Sequence, residues 1–117
     1  MSLLNNEQIS ILKMELRDRF LFVIDMWAPS KYQYKWLEDE TGISASIWQN
    51  VCLEKQFPTL EMLIAIGKYQ GKYLFWVMTG GTEHECPPEE LFKSYISQRE
   101  WIKQKRRGQK LVQPESE

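Results

Sequence analysis

The side chains with the greatest chemical capacity are few and scattered. His84, Glu85 and Cys86 stand together and invite a metal. A zinc site needs about four ligands, and the only other cysteine, Cys52, is expected on a distant helix. No metal site is therefore expected, and the two cysteines are expected to be free thiols. One histidine, no glycine-rich phosphate loop and no nucleophile motif leave no catalytic constellation to assemble. Neither an enzymatic activity nor a cofactor is expected. Recognition chemistry is better provided. Gln49 and Asn50 are adjacent amides, a side-chain type that bonds bidentately to adenine, and Ser44, Ala45 and Ser46 beside them are short enough to admit a helix into a major groove. Residues 99–110 hold six basic side chains (Arg99, Lys103, Lys105, Arg106, Arg107, Lys110) against one acidic, Glu100. Such a run either neutralises phosphates or forms a solvated tail.

The elements that must position these groups follow from punctuation and periodicity. Pro29, Gly42, Pro58, Gly71, the Gly80-Gly81 pair and the Pro87-Pro88 pair cut the chain into pieces of helical length. Ile9, Leu12, Leu16, Phe20, Val23 and Trp27 recur in steps of three and four and predict one amphipathic helix over 8–27. A helix is expected over 31–41, then the turn 42–44, then a second helix over 44–53. Gly42 supplies the positive φ that a tight turn requires, and Ser44 is an N-cap. Thr59 caps the next helix, whose pattern is Leu60, Leu63, Ile64 and Gly67. Residues 73–78 predict a short buried helix, and 89–101 another with Phe92, Tyr95, Ile96 and Trp101 along one side. Leu37, Ile43, Trp48 and Val51 are expected to be buried where the paired helices cross, and Trp36, Trp48, Phe75 and Trp76 read as core. Strand-like alternation is absent, so the fold class is all-α.

At 117 residues one core is expected. The longest apolar run near the front, Phe20 to Ile24, ends at Asp25, and Asn5, Asn6 and Glu7 do not make a signal peptide. A cytoplasmic protein without membrane contact is expected.

The Gly42-Ile43-Ser44 turn, Trp48, Asn50, the Pro58-Thr59-Leu60-Glu61 opening of the next helix and the closing Phe-Trp-Val-Met-Thr-Gly at 75–80 occur in order, with sixteen residues from Gly42 to Pro58. In these features the segment 31–80 resembles the phage repressor/Cro-type, lambda-repressor-like helix-turn-helix family. The resemblance implies a five-helix DNA-binding domain over 1–81, with the motif proper at 31–53. Here it would carry an extended N-terminal helix and a helical, basic extension over 82–117. It also implies a homodimer that reads an inverted repeat in double-stranded DNA as a sequence-specific transcriptional regulator, in character a small bacterial or phage repressor. Residues 44–53 would be the recognition helix, with Ser44, Ala45, Ser46, Gln49 and Asn50 toward the bases. Tyr34, Lys35 and Lys55, with Lys105, Arg106 and Arg107, would meet phosphate. Trp76, Met78, Phe92, Tyr95 and Ile96 offer more apolar surface than a five-helix core requires, and are the expected dimer interface. Two positions depart from the family pattern. Glu38 stands where a small residue is preferred, and the loop 54–57 has no glycine. Residues 31–61 carry three basic and five acidic side chains, net −2, and the whole chain is −1. The acidic run Glu38-Asp39-Glu40 favours an alternative, a helix-turn-helix scaffold serving protein–protein interaction with little DNA affinity.

Overall fold

A computed structural model describes residues 4–106. Among them are six α-helices and no strand: α1 (Asn6–Trp27), α2 (Gln33–Thr41), α3 (Ala45–Cys52), α4 (Leu60–Tyr69), α5 (Leu74–Thr79) and α6 (Glu89–Arg106), with a 3-10 turn, Gly71–Tyr73, leading into α5. The chain is all-α. It divides at the Cys86–Pro87 bond into two units, the first holding α1–α5 and the second α6. No described helix is long and apolar enough to cross a membrane.

In the first unit α1 is the central strut. Asn5 starts it with a reciprocal capping box, its side chain accepting from the Gln8 N–H (2.8 Å) while the Gln8 side chain accepts from the Asn5 N–H (2.9 Å). It ends at Ala28, where the following Pro29 disfavours a further helical residue. Five consecutive residues, Phe20 to Ile24, are buried. A helix buried on every side lies inside the core rather than against it, so the periodicity that predicted a one-sided amphipathic helix described only part of α1. Its other half differs again: residues 6–15 are all exposed, Ile9 and Leu12 included. The cause is length. Twenty-two helical residues span about 33 Å, whereas α2–α5 are each about 15 Å or shorter and cover only the second half.

Around Phe20–Ile24 the core closes through rings. Phe20 stacks on Trp48 of α3 (centroids 6.1 Å apart), Phe22 meets Trp76 of α5 edge-on (5.9 Å), and Trp27 lies against both Trp36 of α2 (5.2 Å) and Tyr69 of α4 (5.4 Å). In α4, capped by Thr59 as expected (Oγ1 accepting from the Met62 N–H), the buried residues are Met62, Ala65 and Ile66. Leu60 and Ile64, expected on the buried side, instead face solvent, because Met62 and Ile66 take the core side of α4 and leave the opposite one outward. Helix α5 ends at Gly80, φ +76. Arg19 Nε donates to the Val77 carbonyl (3.0 Å) and so ties the end of α5 to α1; a Cβ on Gly80 would lie 3.2 Å from the same guanidinium. Partial burial lowers the Arg19 pKa.

Among its described residues the second unit holds one helix, α6, in which no residue is buried. It runs past the expected end at Trp101 to Arg106. Glu89 and Glu90 in its first turn and Lys103, Lys105 and Arg106 in its last oppose the helix dipole. Lys93–Glu89 (3.1 Å) and Lys103–Glu100 (2.7 Å) pairs add local support.

Candidate nucleic-acid interface

Helices α2 and α3 are joined by the three residues 42–44, and a dense local network sets the angle between them. Gly42 takes φ +78 and its N–H closes α2 on the Glu38 carbonyl at 2.8 Å. The Thr41 hydroxyl is the hub: it donates to the Leu37 carbonyl (2.6 Å) and accepts from the Ile43 N–H (3.1 Å) and the Trp48 indole N–H (3.3 Å). Trp48 is fully buried, and so are Leu37 and Val51, while Ile43 is half-buried. Through Thr41 and Phe20 the Trp48 ring thus fastens α3 both to α2 and to α1.

The free backbone N–H groups at the start of α3 are satisfied from within the chain. The Ser44 hydroxyl accepts from the Ser46 N–H (3.2 Å) and shares a hydrogen bond with the Ser46 hydroxyl (2.8 Å). The Glu38 carboxylate accepts from the Ala45 N–H (3.2 Å). A carboxylate at a helix N-terminus also opposes the dipole favourably. Glu38, a departure from the family pattern in the sequence, is here part of the capping of α3.

The other departure resolves similarly. Glu54 terminates α3 with φ +61, a conformation glycine usually provides. Its N–H bonds the Val51 carbonyl (3.0 Å) and the Lys55 N–H bonds the Asn50 carbonyl (2.8 Å), the two bonds of a Schellman motif. Arg17 of α1, itself buried, reaches the Glu54 carboxylate at 3.4 Å and lies over the Phe57 ring at 4.6 Å. That long-range pair anchors the loop after α3 where a glycine would have relied on backbone freedom alone.

On this support Ser46 and Gln49 are exposed to solvent, and Ser44, Ala45 and Asn50 are half-buried. Tyr34 is half-buried in the first turn of α2, and Lys55 is exposed after α3. Lys35 is exposed but engaged: its ammonium meets Asp39 (3.1 Å) and Glu38 (3.4 Å). The hydrogen bond to Asp39, then the Asp39 charge and the interactions with Glu38, raise its pKa. Beside it Tyr32, φ +58, is 77% exposed with Lys31 over its ring.

No protein-family model, curated protein or solved structure matches this chain.

The remaining expected site residues belong to other elements. Trp76 is 6% exposed and packed on Phe22, so it belongs to the core; Met78, two residues on, is 44% exposed. Phe92, Tyr95 and Ile96 are half-buried on α6. Lys105 lies over the Trp101 ring (5.1 Å), Arg106 is exposed, and Arg107 lies outside the described residues. His84 packs edge-on against Phe75 (4.7 Å), and among the described residues no three His, Cys, Asp or Glu side chains are grouped to hold a metal ion. The supporting residues that the sequence did not single out are Thr41 and Arg17. Each is an ordinary helical residue by local pattern, and only its distant partner makes it special.

Proposed function

We propose that this protein is a sequence-specific DNA-binding regulator of the small repressor type, acting as a dimer, with α3 as its recognition helix. One observation carries the proposal: α3 turns short and amide side chains outward from a turn that Thr41, Glu38 and Trp48 hold rigid. Preorganised amides of this kind read adenine edges in a major groove. The acidic balance of residues 31–61 counts for less than the bare total suggests, because Glu54 is paired with Arg17 of α1, a cation outside that count. Phosphate affinity would then come from Lys55, the α2 N-terminus and the basic run that begins in α6.

Selection from random-sequence DNA tests this, and an inverted repeat should be enriched. Replacing Gln49 with Ala should weaken binding to the selected sequence by about 1–3 kcal/mol and leave binding to random DNA unchanged. Equal losses on both would remove Gln49 from base reading. One observation favours the second reading, a protein-interaction module: the Lys35 ammonium already faces two carboxylates. Wholly absent salt-dependent DNA binding would decide for it.

A further inference from the structure

The projecting half of α1 and the end of α5 line an open groove of about 410 Å³ to which α2 and α3 contribute nothing. One stripe of α1 runs along it. Ile9, Leu12, Leu16 and Arg19 recur in steps of three and four and so share a face, and Met78 of α5 lines the groove with them. Ile9 and Leu12 are exposed and Leu16 is half-buried. From Ile9 to Arg19 the stripe is about 15 Å long. It is apolar until its last residue, which is a cation.

We propose that this groove binds a small carboxylic acid with an apolar tail, of the medium-chain fatty-acid class, its tail along Ile9-Leu12-Leu16 and its carboxylate at Arg19. Charge selects the anion. Lys13 and Glu15 also line the groove, on opposite edges of the stripe, and offset each other, so Arg19 sets its sign. The Arg19 Nε is committed to the Val77 carbonyl (3.0 Å). Among the described residues no carboxylate is paired with this guanidinium; Glu15 and Asp18 act on it only through their charge. Its Nη1 and Nη2 are therefore left to meet a carboxylate as a fork. Partial burial has already removed water from this cation, which is what lowers its pKa, so an anion beside it replaces hydration that is already lost. Length sets the tail. Seven helical residues separate Leu16 from Ile9, about 10 Å, and an extended chain advances about 1.2 Å per bond, so roughly nine carbons fill the apolar stretch. The volume is that of small-ligand pockets, which are mostly apolar with a few placed polar groups. The inference stands on α1 and α5 and holds whether or not α3 reads DNA.

A 1H–15N NMR titration of the full chain with decanoate, below its micellar concentration, tests it. Saturable shifts centred on α1 and α5 are expected, with a dissociation constant of roughly 0.1–1 mM for a ligand of this size. Decyltrimethylammonium, with a tail of the same kind and the opposite charge, should bind at least about tenfold more weakly. Arg19→Gln should weaken decanoate binding by about tenfold or more. Because Arg19 also ties down α5, Leu12→Glu provides the same test at a side chain already in water, and should weaken binding by a similar factor through like charge. Glu15→Gln, which removes the opposing charge, should tighten it about twofold. No saturable shift, equal affinity for the two amphiphiles, or indifference to Leu12→Glu would overturn the assignment. Decanoate bound in this way by a chain that binds no DNA supports the site and rejects only the DNA reading.

Discussion

Helices α3 and α6 both hold groups suited to a nucleic acid, and they are built in opposite ways. The eight residues of α3 include no charged side chain, yet their framework is over-determined: a fully buried Trp48, a hydroxyl hub at Thr41, a carboxylate cap from Glu38 and an ion pair at the exit loop. The eighteen residues of α6 carry the basic charge and bury nothing. Rigid placement and positive charge therefore reside in different units. Base reading needs atoms held at defined positions, whereas phosphate attraction tolerates a loosely held cation.

Substitutions in the two helices should have unequal effects. Trp48→Ala should destabilise the fold by about 3–5 kcal/mol in chemical denaturation, whereas Leu91→Ala on exposed α6 should stay within about 0.5 kcal/mol. Comparable losses would mean that α6 is as deeply integrated as α3. Thr41→Val keeps the shape but strips an acceptor from the Ile43 and Trp48 N–H groups; about 1–3 kcal/mol should be lost, and an unchanged midpoint would show that solvent replaces the hub. Changing Lys105, Arg106 and Arg107 together to Gln should leave the midpoint alone and weaken operator and random DNA by similar factors. The log-affinity against log-salt slope should flatten by roughly 0.9 for each phosphate that is no longer neutralised; an untouched slope would assign no role to this basic run.

The smallest effect is expected at Lys35. Because its pKa is raised, its pairing with Asp39 and Glu38 contributes fully below the ordinary lysine value of 10.5 and fades as the pH climbs through the raised one. Around neutral pH, Lys35→Ala should therefore leave stability nearly unchanged, as exposed pairs generally do. A clear drop in DNA affinity in this variant would mean that phosphate displaces the two carboxylates.

What the sequence determined by itself are features closed within one turn of chain. The start of α3 at Ser44, the start of α4 at Thr59, the turn at Gly42 and the stop at Gly80 rest on side-chain caps or backbone freedom that involve residues only a few positions apart. The all-α class follows from the same short-range periodicity. Tertiary structure alone decided the rest. Glu38 and the glycine-free loop that starts at Glu54 read as departures until Ala45 N–H, seven residues beyond Glu38, and Arg17, thirty-seven residues before Glu54, are seen to hold them. Which half of α1 is core could not be inferred from Ile9 and Leu12, whose spacing matches that of the buried Phe20 and Val23. Periodicity records where a side chain points around its own axis, and burial depends on whether another element reaches it there. In this chain α2–α5 are too short to do so along the whole of α1.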